Sequence, residues 1–424
     1  MPDAGLHRFQ RFHRSHLEDD VLAWWLAHGP DAERGGVHTC FANVGDTLVS
    51  TDKYTWSQGR WAWLTARLSR AARAGLIDMD ADTLLRQATG TAEFVAAHAL
   101  LGDGTTAYVL SADGTVRPAG PDGAAHASVF ADLFAVLGFA GLHGELVATG
   151  TPAARAWGAL AEELLVSAYD RVRSCTALNE PYPVHPRFRC FAEPMMLMHA
   201  GAELHAATGS RRAQEITVAA AADALSALFV TGTQMRDMAP RGPGLDGTLL
   251  ARHRTPGHLL EFLWFLHRAA ATVPGVAAVA GDPSWVVEAA LGALAVGWDT
   301  AEGGLLRYVD REGGAPRGDL LDDRYENLVT RTWDTKLWWP HAEALYATAL
   351  LARAHGSAEL AAWHDRIHEY TFGTFPEGPG REWTQIRARD GRPLDEVVAL
   401  PVKDPFHIAR ALLLLVELHG EAEN

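Results

Sequence analysis

The chain has 424 residues, 48% of them apolar and 21% charged, the profile of a packed protein with a large core. Its 37 Lys and Arg are outnumbered by 52 Asp and Glu, and a net charge of −15 argues against nucleic acid and anionic membranes as partners. No apolar run approaches the ~20 residues that span a bilayer, and the polar, charged start carries no signal-peptide core. Three cysteines (Cys40, Cys175, Cys190) show no metal spacing, so the expectation is free thiols in a reducing cytoplasm.

Apolar residues recurring at i, i+3, i+4 and i+7 predict twelve helices. They fall at 5–29, 53–75, 82–102, 126–149, 153–174, 191–208, 211–231, 256–273, 282–297, 334–355, 357–375 and 403–420. Pro256 and Pro405 sit near first turns, where a missing N–H is harmless, and Gly209 and Gly356 sit near helix ends. The connections alternate. Those after odd-numbered helices are long and those after even-numbered helices are short, and short links make antiparallel neighbours. Six such hairpins closed into a ring give an all-α (α/α)6 barrel with every long loop at one end. Alternating stretches such as 107–120, with the turn signal Asp113-Gly114, place short β-hairpins in those loops. No linker or charge run divides the chain, so residues 1–424 are read as one catalytic domain. A weak echo links Asp31-Ala-Glu-Arg-Gly-Gly36 with Asp299-Thr-Ala-Glu-Gly-Gly304, which is a shared Gly-rich turn chemistry and a sign of hairpin repetition.

Fourteen Trp against eight Tyr, together with 20 His, suit either a large core or a pocket in which aromatic faces stack on sugar rings. Polar and aromatic residues crowd the starts of the even-numbered helices, all at the long-loop end. These segments are 53–60 (with Tyr54, Trp56 and Arg60), 193–197 (with Glu193), 254–261, 334–343 (with Lys336, Trp339 and Glu343) and 403–410. His258 and Glu261 lie three residues apart and share a helix face, and a carboxylate beside an imidazole fixes its tautomer. His407 stands in the same relation to Arg410. Two imidazoles facing each other across a barrel suit removal of a proton from one face of a flat carbon and its return on the other. His364 and His368, like His13 and His16, have the spacing of metal ligands but lack a third one, so no metal is expected. No phosphate-binding loop or nucleophile elbow is present.

Taken together, Asp52-Lys-Tyr-Thr-Trp-Ser-Gln-Gly-Arg60, Arg254-Thr-Pro-Gly-His-Leu-Leu-Glu261, Gly297-Trp-Asp-Thr-Ala-Glu-Gly-Gly304, Lys336-Leu-Trp-Trp-Pro-His-Ala-Glu343 and Phe406-His407 resemble the N-acylglucosamine 2-epimerase family over nearly the whole chain. The resemblance implies an (α/α)6 barrel and an isomerase acting at C2 of a sugar. It implies His258 and His407 as catalytic histidines, Arg60 on the sugar oxygens near C1 and C2, and Glu261 as the partner of His258. Glu193, Lys336, Trp339 and Glu343 match positions that line the pocket, and Tyr54, Trp56 and Arg410 are counted with them as substrate-binding residues. Leu197 stands where the isomerase and disaccharide-epimerase branches carry His, which looks more like the N-acyl branch. Asp404-Pro405 departs from that branch, which has a small residue and Cys there. A homodimer is also implied.

The expected reaction opens the sugar ring, exposes the C1 aldehyde and so acidifies the C2 hydrogen. One histidine removes it and the other protonates the opposite face of the enediolate. The carbonyl supplies the acidity, so no cofactor is expected. The alternative is an aldose–ketose isomerase on mannose- and fructose-type sugars. A glycoside hydrolase would need a carboxylate pair and would leave both histidines unexplained. A non-catalytic sugar-binding protein would not need the paired His–Glu and His–Arg placements.

Overall fold

The computed structural model describes residues 10–228, 235–398 and 400–420. Helix α1 runs through Gln10–Ser15, a π-helical stretch at His16–Leu22, and Ala23–His28. Then come α2 (Thr55–Arg73), α3 (Ala81–His98), α4 (Val129–Ala148), α5 (Ala154–Arg173), α6 (Ala192–Thr208) and α7 (Arg211–Leu228). They are followed by α8 (Pro256–Thr272), α9 (Ser284–Gly297), α10 (Trp338–His355), α11 (Ala358–Thr374) and α12 (Phe406–Gly420). The predicted twelve are all present, although residues 5–9 and 229–231 of the predicted spans lie outside the described residues. Short helices at Leu249–Arg252, Val276–Ala280 and Arg324–Thr332 lie in connections and show no long periodic pattern. Gly209 and Gly356 end α6 and α10 in the left-handed conformation, which a residue without Cβ adopts at little cost.

The even-numbered helices pack in chain order, and α12 returns to α2, so they close an inner ring. Each odd-numbered helix lies outside, α3 on α2, α5 on α4, α7 on α6, α9 on α8 and α11 on α10, while α1 covers α12. This is the (α/α)6 barrel. Burial follows from position. Outer α5 buries one stripe, Ala154, Gly158, Ala161, Leu164, Leu165 and Ala168, at helical spacing. Inner α4 is buried on almost every side. By length and hydropathy α4 would also qualify to cross a membrane, contrary to the reading that no stretch comes close. Asp132, His143 and Glu145 interrupt its apolar run without lowering its mean hydropathy enough, and the helix spends that apolarity inside the barrel. Gly59 marks the tightest crossing: a Cβ there would lie 2.2 Å from the Phe134 carbonyl oxygen.

Each inner helix begins at the same pole, and its first residues are tied to the following long loop. Strand β1 (Lys53–Tyr54) pairs with β2 (Val109–Leu110), which pairs with β3 (Val116–Arg117). Ahead of α4, Ser128 bridges to Asn179. Ahead of α6, α8 and α10, β4 (Phe188–Cys190) pairs with β5 (Met238–Pro240), β6 (His253–Arg254) with β7 (Val309–Asp310), and β8 (Lys336–Leu337) with β9 (Ile386–Arg387). Ahead of α12, the Lys403 N–H donates to the Thr39 carbonyl. The predicted β-hairpins are therefore mostly pairings between successive loops; β2 with β3 is the local hairpin that Asp113-Gly114 signals.

The sequence echo has a physical basis here. Lys53 Nζ donates to Asp31 Oδ2 at 2.8 Å and to the Gly35 carbonyl at 2.7 Å. Lys336 Nζ repeats this with Asp299 Oδ2 at 3.0 Å and the Gly303 carbonyl at 2.7 Å. Each buried Lys pins the start of an inner helix to the Gly-Gly turn that follows an outer helix. Lys336 is thus not a pocket residue as expected, because Asp299 and the turn carbonyls use its ammonium. Desolvation pulls its pKa down to about 8 even against the carboxylate. The histidines with metal-like spacing form part of a ring-packed seam between α1 and α11. His13 lies 5.2 Å from His368 and 6.5 Å from His364, between ring centroids. His16 is bonded to Asp20 and to the Trp383 indole. Replacing one member of a buried ion pair leaves the other charge uncompensated. Asp299→Asn should therefore cost ~3–5 kcal/mol of stability, and the double variant with Lys336→Met should cost less than the sum of the single changes, measured by denaturant unfolding.

Candidate active site

The mouth of the barrel holds a cavity floored by the first turns of the inner helices. His258 enters it from α8. Pro256 occupies the first turn, where its missing N–H has no role, and Thr255 precedes it in extended conformation. His258 Nδ1 lies 2.8 Å from Asp237 Oδ1, while Asp237 Oδ2 accepts the Thr255 N–H at 2.6 Å. Burial would raise the Asp237 carboxyl, but the hydrogen bond to His258 and electrostatic interaction with the His258 and His253 rings hold it below the ordinary range. A carboxylate at Nδ1 fixes the proton there and leaves Nε2 for the cavity.

His407 enters from α12. Its Nδ1 lies 2.7 Å from Glu343 Oε1 and its Nε2 accepts from Arg60 Nη2 at 3.1 Å. Glu343 also accepts from the Trp264 indole at 2.8 Å and from Arg410 Nη2 at 2.7 Å. Burial pushes the Glu343 carboxyl up, while Arg410 and then His407 hold it well below the usual carboxylate range. Both imidazoles stand against Trp339, with ring centroids 5.1 Å from it for His258 and 5.8 Å for His407. Gly257 allows this, because a Cβ there would come within 2.7 Å of the indole. Two rings from non-adjacent helices, 149 positions apart in the chain, therefore meet at one indole on the helix between them.

Arg60 is partly buried among Phe134 (4.2 Å), Phe406 (5.0 Å) and Trp56 (5.1 Å), measured to ring centroids. Its Nη1 lies 3.2 Å from Asp404 Oδ2. Trp56 lines the cavity and packs on Phe134 at 4.9 Å.

Five expectations need correction. Glu261 lines the cavity but does not hold His258. Its Oε1 accepts from Arg410 Nη2 at 2.6 Å, because α12 presents that cation to the shared helix face while Asp237 reaches Nδ1 from the preceding loop. Glu343 and Arg410 do not line the pocket; they stand behind His407, both buried. Glu193 accepts from Asn179 Nδ2 at 2.7 Å away from the cavity, and α6 presents Ala192, Met195 and Met196 instead. Leu197 is likewise absent from the lining. Tyr54 packs edge-on against Tyr108 at 5.7 Å, in a small cluster beside the mouth. Among the described residues, only Glu261, Glu343 and His407 cluster closely enough to share a metal ion. The Arg410 guanidinium already bonds to both carboxylates there, so a second cation would meet a filled position.

The sequence reading missed Asp237 and Asp404, together with Tyr182, Arg307 and Tyr308 on the cavity wall. All five lie outside the helices, where no periodicity marks them. The one signal available was Asp404, visible as a departure from the expected pattern beside His407.

The N-acylglucosamine 2-epimerase family matches residues 35–411. An N-acylglucosamine 2-epimerase of Bos taurus is 29% identical, with 94% of this chain and 89% of that protein covered. One of Homo sapiens is 27% identical, covering 95% and 88%. A sugar epimerase from a ruminal bacterium shares the fold with a TM-score of 0.74 at 18% identity, over 97% of this chain and 99% of the other. A D-mannose isomerase does so with a TM-score of 0.69 at 15% identity, over 96% and 97%. The match runs from the loop after α1 into the first turns of α12 and takes in all the groups gathered at the mouth, and the chain belongs to the N-acylglucosamine 2-epimerase family of isomerases.

Proposed function

We propose that the protein inverts C2 of an N-acyl-hexosamine of the N-acetylglucosamine and N-acetylmannosamine type, with His258 and His407 as its two proton-transfer groups. The observation that carries this reading is the matched pair of imidazoles. Each has Nδ1 held by a buried carboxylate and both flank the Trp339 indole; Nε2 is left for the cavity at His258 and accepts from Arg60 at His407. Aromatic faces suit the apolar face of a sugar ring or chain. The wall formed by Cys190, Ala192, Met195, Met196 and Met238 offers apolar surface to an acyl methyl group, which favours the N-acyl sugar over an unsubstituted one. Relatives named N-acylglucosamine 2-epimerase point the same way.

The chemistry follows from the C1 carbonyl of the opened sugar. The Nε2 of one imidazole takes the C2 proton. The C–H electron pair delocalises onto O1 as an enediolate, and the other imidazole, protonated, returns a proton to C2 from the opposite face. Arg60, beside His407, is placed to stabilise charge on O1, an effect that reaches ~10²–10³ in rate for a single well-aimed donor. Asp237 and Glu343 keep each imidazole in the reactive tautomer and stabilise its protonated form, and their depressed pKa values keep them ionised at neutral pH.

His258→Ala and His407→Ala should each lose ~10²–10⁴ of turnover with the melting transition retained, measured with N-acetylmannosamine. Turnover close to wild type in either variant contradicts the assignment, and a ketose product from mannose would mark isomerase action instead. Asp237→Asn should lower kcat by ~10-fold to 100-fold with little change in KM, since it disturbs the tautomer and not the sugar contacts. Steady-state kinetics of the purified variant reads this directly.

A further inference from the structure

Asp404 has no place in the two-histidine scheme, yet it stands at its centre. Its backbone is fixed by reciprocal bonds with the Gln385 amide, both at 2.9 Å. Its Oδ1 accepts the Phe406 N–H at 3.1 Å, at the start of α12. Oδ2 remains. It is buried, 3.2 Å from Arg60 Nη1 and 3.8 Å from His407 Nε2, on a residue that lines the cavity. Arg60 and the Trp338 indole face this oxygen, but neither closes a well-aligned hydrogen bond on it.

A carboxylate in this position works against the C2 step, because it cancels charge that Arg60 would otherwise lend to an enediolate. Its use must lie in another step. An acceptor oxygen and a guanidinium donor side by side suit one kind of substrate atom, a hydroxyl oxygen that gives up its proton and gains negative charge. The hydroxyl donates to Oδ2 while its oxygen accepts from Arg60. A cyclic sugar carries such a hydroxyl at C1, and the C2 chemistry waits on its deprotonation.

We propose that Asp404 is the catalytic residue that opens the sugar ring, a role that rests on reading the site as one acting on a sugar through its C1 carbonyl. Oδ2 takes the proton from the C1 hydroxyl. The O1 electron pair forms the C1–O1 double bond, and the C1–O5 bond breaks with its pair going to O5. The same carboxyl then gives its proton to O5, which was bonded to the same carbon. The carboxylate is regenerated and no other reactant is consumed. The residue starts in the ionised form this step needs. Burial would raise its carboxyl, while Arg60 and His407 hold it below the ordinary range.

Ring opening can be read apart from C2 chemistry, as interconversion of anomers. The α-anomer of N-acetylglucosamine, freshly dissolved in heavy water with the full-length protein, is followed by proton NMR. The α to β conversion and the exchange of the C2 hydrogen are then read in one tube. Wild type should accelerate anomer interconversion, and Asp404→Asn should lose ~100-fold or more of that acceleration. Asn keeps an oxygen for the Phe406 N–H, and Asp404→Ser is a second variant that also caps helices. Either variant accelerating anomerisation as wild type does overturns the proposal, as does a wild type that exchanges C2 hydrogen without accelerating it. Asp404-dependent anomerisation without C2 exchange supports ring opening and sinks the epimerase reading, so the two fail separately.

Discussion

Every inner helix of this barrel starts at one pole, and its first residues are held by backbone hydrogen bonds to the next long loop around the ring. That constraint fixes where the first-turn side chains of six helices meet. His258, His407 and Arg60 occupy the first two turns of α8, α12 and α2, and Trp339 opens α10. The buried Lys53–Asp31 and Lys336–Asp299 pairs reinforce the same ends at two places. Inner-helix packing as close as Gly59 against Phe134 makes the ring stiff. Groups placed on such elements keep their geometry better than groups on loops.

Behind the mouth, a charge network holds His407. Arg410 bonds to Glu261 and to Glu343, and Glu343 divides its oxygens between His407, Arg410 and Trp264. Taking these charges out of water is costly, and the Arg410 cation and the Trp264 and His407 donors offset that cost. The return is orientation: His407 has both ring nitrogens engaged, Nδ1 by Glu343 and Nε2 by Arg60. His258 is held more simply, by a single carboxylate from a loop, and its ring is more exposed. The two imidazoles are therefore unequal, one deep and charge-surrounded and the other near the opening.

The barrel was legible because its two signals are one-dimensional. Helical periodicity gives the elements, and the alternation of long and short links gives the ring. The two imidazoles and Arg60, which the fold brings to one cavity, were legible through motifs at helix starts. Contacts between distant segments were not. Glu261 is three residues from His258 and shares its face, yet Asp237, 21 positions away in an aperiodic loop, takes Nδ1. Lys336 and Glu343 sit in the same motif as Trp339, but one pins a turn and the other supports His407 from behind. Helical spacing shows which side chains share a face, and it does not show what the neighbouring helices bring to that face. The Asp-x-x-x-Gly-Gly echo carried more than turn chemistry, since the Lys that completes each pin stands 22 positions after Asp31 and 37 after Asp299.

The central claim is that two different imidazoles serve the two faces of C2. It is tested most directly by the isotope pattern at low conversion in heavy water, with N-acetylmannosamine as substrate. Two separate groups predict a product carrying one deuterium at C2 while the recovered substrate keeps its protium. Deuterium appearing in recovered substrate as fast as in product, or product retaining the original C2 hydrogen, would mean that one group does both transfers and would contradict the account.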